Sequence, residues 1–294
     1  MSAVTVFKHV ERLLDRPIIT QDMVPSNETN INGPSLIRVP SWVRNPLGRY
    51  YLYFSSHFGD HIRLAYADAL TGPWRLHAPG VLHLNASHFN DHIASPDVTI
   101  DQERQEIRLY YHGVVGDVFS DQRTRVALSN DGLMFEAQAP IVMDWYSRAF
   151  RWNGMIYALT MPGTMWRSPD GIAPFERGPS LFTPRMRHSA VRVRGHELDI
   201  LYTNCGDNPE SILATTLDLR SDWLSWRAEP STLLIQPERA YEGGDLPPAP
   251  SERGGVRQAV RQLRDPAFFE EAGKTYLLYA GAGESGICLA ELHT

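Results

Sequence analysis

Five times along the chain, a short polar lead-in runs into an apolar strand, and a second, alternating strand follows. The first set of strands covers residues 50–54, 107–111, 156–160, 198–203 and 275–280, with Tyr50 and Tyr51 opening it. Their partners cover 62–67, 125–129, 165–168, 212–217 and 287–291, and turns such as Asp131-Gly132, Asp170-Gly171 and Gly72-Pro73-Trp74 often come next. A further short strand begins ahead of each copy, near Ser35, Asp97, Ala149, Ala190 and Ala267. With an outer strand such as 223–227, each unit is a four-stranded antiparallel sheet. Five such units predict an all-β fold, a five-bladed β-propeller with a central funnel-shaped site.

The repeats fill nearly all of the 294 residues, and no Gly/Ser linker or charge block divides them, so one domain is expected over 1–294. Two stretches stand outside the pattern. The N-terminal segment 1–31 is expected to pack on or close the propeller, and the insertion 236–262 to wall the site. Residues 10–14 and 256–263 could each form a turn of helix, but neither sustains a helical period. Cys205 and Cys288 lack the spacing of a zinc site and read as buried thiols.

A net charge of −6 lacks the concentrated basic face that nucleic acid requires. No window approaches the run of about 20 apolar residues that spans a membrane. Met1 to Lys8 shows no leader-like apolar run, so the expectation is a cytoplasmic protein with no nucleic-acid or membrane partner. The repeats do not fix an oligomeric state.

In a propeller the innermost strand of each blade starts at one mouth of the channel, so the five lead-ins converge there. They cover residues 30–35, 91–97, 144–148, 187–189 and 263–266, and they are rich in polar and ionisable groups. Ser95-Pro96-Asp97 and Arg264-Asp265-Pro266, together with the Tyr-Leu-Tyr strands, resemble the five-bladed glycoside hydrolases of family 43 and its relatives. The resemblance implies cleavage of glycosidic bonds by a carboxylate base, a carboxylic acid and a third, tuning carboxylate. Two positions depart from that pattern. Asn32-Gly33-Pro34 stands where the family has an Asp before a Pro, and Arg187-His188 stands where it commonly has its acidic Glu.

Glycoside hydrolysis needs two carboxyl groups, about 5 Å apart for retention or 6.5–9.5 Å for inversion. Asp97 and Asp265, each leading into an inner strand, are the first candidates, although an Asp beside Pro also commonly serves a turn. Glu242 is the expected acid, its pKa raised by burial near another carboxylate, and Asp245 lies close to it in the insertion. His188 can replace the missing Glu as acid. Asn32, His57, His92 and His112 are candidates for sugar hydroxyls, and Trp145, Tyr146 and Tyr241 for stacking. Arg148, Arg187 and Arg264 can orient carboxylates or clamp an acidic sugar.

No cofactor is expected, with a central metal ion as the lesser alternative. The expected function is hydrolysis of a small glycan or oligosaccharide, with an acidic sugar among the candidates. The alternatives are a non-hydrolytic carbohydrate-binding propeller, or a lyase or isomerase acting on an acidic sugar.

Overall fold

Tyr50–Ser55 is buried at every position, so both of its faces must meet other sheets rather than water. The computed structural model describes residues 7–294 and shows how this is achieved. In chain order the first strands are β1 (His9–Arg12) and β2 (Ile19–Thr20). Blade 1 follows as β3 (Asn32–Arg38), β4 (Tyr50–Ser55), β5 (His61–Ala67) and β6 (Arg75–His83). Blade 2 comprises β7 (Asp91–Asp101), β8 (Glu106–Val114), β9 (Gln122–Ser129) and β10 (Glu136–Ala137), with β11 (Met143–Asp144) also on β9. Blade 3 is β12 (Arg148–Trp152), β13 (Met155–Thr160), β14 (Thr164–Ser168) and β15 (Glu176–Ser180). Blade 4 is β16 (Met186–Arg194), β17 (Glu197–Asn204), β18 (Ile212–Asp218) and β19 (Thr232–Ile235).

Blade 5 is built from both ends of the described chain. It combines β20 (Arg264–Glu271), β21 (Lys274–Gly281) and β22 (Gly286–His293) with β1, and β2 also pairs with β22. The register from His9↔His293 to Arg12↔Ala290 therefore closes the ring, removing the free edge that β22 would otherwise present. The first six residues of the 1–31 segment, on which most of the leader argument rests, lie outside the described residues. The inner strands β3, β7, β12, β16 and β20 touch in cyclic order around the channel.

The Tyr-rich strands and the Asp-Gly turns serve one purpose between blades. Tyr53 on β4 donates its hydroxyl to the carbonyl of Gly132, and Tyr110 on β8 donates to that of Gly171, both at 2.9 Å. Each tyrosine thus ties its middle strand to the turn of the next blade. Asp131 and Asp170 hold those turns by accepting two backbone N–H groups each. Both glycines have positive φ, and a Cβ there would lie 2.5 Å and 2.6 Å from the tyrosine oxygens.

Three expected elements differ. Residues 223–227 do not form the outer strand of blade 4, because the Asp222 side chain captures Leu224 N and winds Trp223–Ser225 into a 3-10 turn; β19 takes the edge. Residues 10–12 pair as strand β1 instead of coiling. Residues 256–263 are not helical, since several of their backbone groups bond to other parts of the chain. Cys205 and Cys288 are free thiols, and among the described residues no helix is long and apolar enough to cross a membrane.

Gly171→Ala should lower the unfolding free energy by about 2 kcal/mol or more, combining strain at positive φ with a displaced tyrosine. Tyr110→Phe should cost about 1 kcal/mol. Urea denaturation of both variants checks the order.

Candidate active site

The inner strands share a local distortion that builds the mouth. Register shifts interrupt the pairing between Asn32 and Ser35, Ala94 and Asp97, Arg187 and Ser189, and Arg264 and Ala267. At these shifts one residue adopts the left-handed region: Gly33, Ser95, His188 and Asp265, with φ from 48° to 59°. Tyr146, at φ 53°, does the same just before β12. A non-glycine residue held this way costs about 1–3 kcal/mol and persists where its surroundings demand it. Bulges re-aim side chains; four blades carry one, and a left-handed residue stands at the same level on all five. Gly33 needs its missing side chain, because a Cβ would come within 2.9 Å of Ser95 Cα.

The shared left-handed position sets the equivalences between blades and keeps Ser35, Asp97, Ala190 and Ala267 together, as expected. Asp265 corresponds to His188, Tyr146, Ser95 and Gly33. Asp97 corresponds to Ser35, Arg148, Ala190 and Ala267, two residues farther along, so in blade 3 the position falls on Arg148 rather than Ala149. Arg187 and Arg264 match each other and Asn32, whereas Arg148 belongs to the deeper layer.

Arg148 is buried across the channel at that deeper layer. Its guanidinium donates to the carbonyls of Ser189 (2.8 Å), Pro96 (2.8 Å) and Pro34 (3.3 Å), linking blade 3 to blades 4, 2 and 1. Asp97 lies 3.5 Å from it and accepts Ala149 N at 2.7 Å. Burial raises the Asp97 pKa against the pull of Arg148. Asp97 lines a cavity of about 150 Å³ with Ser35, Ala190 and Phe268, a set that does not include Asp265. The two aspartates are not brought together.

Above Arg148, Tyr146 accepts from the guanidinium at 3.4 Å and donates to Asp265 Oδ1 at 2.9 Å. Asp265 is 1% exposed. Burial and the charge of Glu284 raise its pKa to about 6, although His57, Tyr146 and Arg187 act the other way. His188 Nε2 stands 3.7 Å from the same carboxyl oxygen. Aromatic contacts continue the wall: His188 to Tyr146 (4.9 Å), Tyr146 to His112 (6.4 Å), His112 to His92 (5.7 Å) and His92 to His57 (6.0 Å). Burial holds His188 and His112 well below the ordinary imidazole pKa, and lowers His92 to about 4. These three rings are neutral at pH 7.

Several buried polar atoms at this mouth have no partner: His92 Nε2, His112 Nδ1, His188 Nδ1, Ser189 Oγ and Asp265 Oδ2. Buried polar groups are otherwise nearly always paired, so this concentration makes the mouth the candidate site.

Glu284, in the turn between β21 and β22, is the other carboxylate here. It accepts from Arg264 (2.9 Å) and Asn30 (2.5 Å), and contacts His57 Nδ1 at 3.1 Å. Burial opposes its ionisation, but His57 and Arg264 together hold its pKa well below the usual carboxylate range. Asn32 also reaches His57 Nδ1, at 2.7 Å. Glu210, between β17 and β18, lies 3.5 Å from Arg187 and 3.6 Å from Arg264. Residues 252–256 run beside this cluster: the Glu252 and Gly254 carbonyls accept from Arg187, and the Val256 carbonyl accepts from Asn30.

Glu242 is a structural carboxylate. It accepts five hydrogen bonds, from Arg12 Nε and Nη2, the Tyr279 hydroxyl, and the N–H groups of Glu238 and Arg239. Burial pulls its pKa up, but the bonds from Arg12 and Tyr279 outweigh it, so the net shift is downward. It cannot be the proton donor. Tyr241 likewise bonds Leu14 O and packs in the core of blade 5, while Asp245 is exposed on the same turn. Trp145 is half-buried beside Tyr146. Among the described residues, the group with metal-ligand spacing is Asp60, His61 and His83, not a set at the channel centre.

Asn30 falls within the first lead-in, whereas Glu210 and Glu284 lie outside all five. A signal existed, since Glu210-Ser211 and Glu284-Ser285 both stand just ahead of a third strand.

The fold and its bulged mouth place the molecule among five-bladed propellers built like the family 43 glycoside hydrolases. A β-xylosidase/α-arabinofuranosidase of that family from a compost microbial metagenome superposes with a TM-score of 0.63 at 13% identity, covering 97% of this chain and 95% of that one. An α-L-arabinanase of Cellvibrio cellulosa gives 0.59 at 14% identity, over 90% and 93%. A family 43 enzyme of Xanthomonas citri gives 0.61 at 12%, over 94% and 89%. No family model matches the sequence. The chain belongs to the family of the uncharacterized protein R118 of Acanthamoeba polyphaga mimivirus, to which it is 38% identical over 304 residues, 92% of this chain and 85% of that protein.

The raised pKa of Asp265 has a signed consequence for stability. An aspartate titrates near 3.9 in the unfolded chain and near 6 when folded, so the burial cost is absent below about pH 4 and complete above about pH 6. Asp265→Asn should therefore be more stable than the parent at pH 8, by up to about 3 kcal/mol, relative to their difference at pH 4. Paired urea titrations at the two pH values measure it.

Proposed function

We propose that this chain is a carbohydrate-active enzyme that cleaves a glycosidic bond at the channel mouth, with Asp265 as the general acid. The observation that carries this reading is the convergence of unpartnered buried atoms of His92, His112, His188 and Asp265. Neutral imidazoles and a protonated carboxyl match the mixed donor and acceptor character of sugar hydroxyls. The likeness to family 43 structures supports a glycan as the substrate class.

Asp265, holding its proton up to about pH 6, donates to the leaving oxygen as the bond to the anomeric carbon breaks. Tyr146 orients it, and the ionised Glu284 keeps its proton on. Glu284 also steadies His57, and a carboxylate-supported imidazole is a competent base for an attacking water. This base takes the place of the Asp that Asn32 replaces. A neutral glycan fits better than an acidic one, because Arg148, Arg187 and Arg264 are each engaged by protein acceptors. The segment 252–256 then borders the bound sugar.

A non-hydrolytic carbohydrate-binding role is favoured by one observation. Glu284, the second carboxylate, is engaged by Arg264, Asn30 and His57 rather than free to act directly.

A panel of neutral aryl glycosides and oligosaccharides should reveal hydrolysis whose kcat falls as pH rises through about 6, tracking loss of the Asp265 proton. Asp265→Asn should reduce kcat about 10²–10⁴-fold while glycan binding persists. Full turnover in Asp265→Asn would refute the assignment. Binding without hydrolysis, weakened by His188→Ala, would establish the binding role instead.

A further inference from the structure

On blade 1 a second cluster has nothing to do with the chemistry above. His61 opens β5 and His83 ends β6, and the two are direct partners across the antiparallel ladder. Their rings stack at 5.2 Å with 22° between planes. Asp60 precedes His61 and lies 2.9 Å from its Nδ1. One ligand atom from each of Asp60, His61 and His83 falls within 4.8 Å of the other two.

From this geometry we infer a binding site for a borderline divalent transition ion such as Zn²⁺, formed by His61, His83 and Asp60 at the outer side of blade 1. Two imidazoles and a carboxylate are the donor set that zinc, nickel and copper prefer over calcium or magnesium. Bonds of about 2.0–2.2 Å from one ion place its ligands about 3 Å apart, so small side-chain rotations complete the site. When an ion takes the Nδ1 lone pair of His61, the ring's single N–H moves to Nε2, which faces the Glu28 carboxylate at 3.9 Å.

The backbone prepares both rings. Pro79 O lies 2.7 Å from His83 Nε2; accepting a proton from that nitrogen leaves Nδ1 with the lone pair for a metal. Gly80 has φ 68°, and a Cβ there would sit 2.8 Å from His61 Cδ2, so the glycine leaves room for the ring. Glu28, in the segment leading to β3, has a carboxylate oxygen 3.9 Å from His61 Nε2 and 3.0 Å from Arg63. The ion would thereby stiffen the open edge of blade 1 beside the segment that feeds it.

The chain carries its own control. His9 and His293 are also cross-strand partners, stacked at 5.7 Å, with Glu11 3.1 Å from His293. Their ligand atoms do not meet the same mutual spacing.

Calorimetric titration of the full chain with Zn²⁺, and with Co²⁺ followed by its visible absorption, tests the site. One equivalent should bind and raise the Tm. His61→Ala and His83→Ala should each weaken binding at least tenfold and abolish the Tm rise, while His293→Ala leaves both unchanged. Absence of binding at submillimolar Zn²⁺, or equal binding by a His61→Ala/His83→Ala double variant, would overturn the assignment. So would loss confined to His293→Ala.

Discussion

The buried guanidinium of Arg148 is the contact on which the centre of this molecule depends. A five-bladed ring leaves the carbonyls at the start of its inner strands facing a narrow channel with no neighbouring strand to pair them. Arg148 answers that need for Pro34, Pro96 and Ser189, with Asp97 beside it as a counter-charge. A buried charge is tolerable only when paired and hydrogen-bonded, and here geometry supplies both. Lysine could not replace it, since one ammonium cannot reach three carbonyls on three blades.

The same residue organises the polar cluster above it. By bonding the Tyr146 hydroxyl it turns that group's proton toward Asp265, which is otherwise enclosed by aromatic and imidazole rings. Asp97 serves Arg148 and Ala149, so the expected pair of aspartates resolves into one carboxyl that holds the fold and one that faces the mouth. The left-handed residues Ser95, Tyr146, His188 and Asp265 carry the strain of that arrangement at the channel mouth.

The propeller was legible because its signals are local and repeated: alternating strands, Tyr-Leu-Tyr segments and Asp-Gly turns each have a direct mechanical use. Strand β1 was obscured because four residues say little until β22 is beside them. The mouth was legible as a region, with Asp265, His188, His112, His92, His57 and Tyr146 gathered there. Individual roles were not, because each bulge slips the register by one residue and only three of the five lead-ins carry a Pro as a marker. Glu242 illustrates the limit. Its burial was anticipated, but the Arg12 that neutralises it stands 230 positions away, and that partner reverses the direction of the pKa shift. Glu284 was not legible because it lies in the turn between β21 and β22, outside the lead-ins, and its partners Asn30, His57 and Arg264 are distant in sequence.

The account stands or falls on the protonation of Asp265. A ¹³C NMR titration of carboxyl-labelled aspartate, assigned with Asp265→Asn, should show this group titrating near pH 6 and shifting when a neutral oligosaccharide is added. Titration near 4, with no response to any glycan, would contradict both the buried-acid environment and the ligand site built around it.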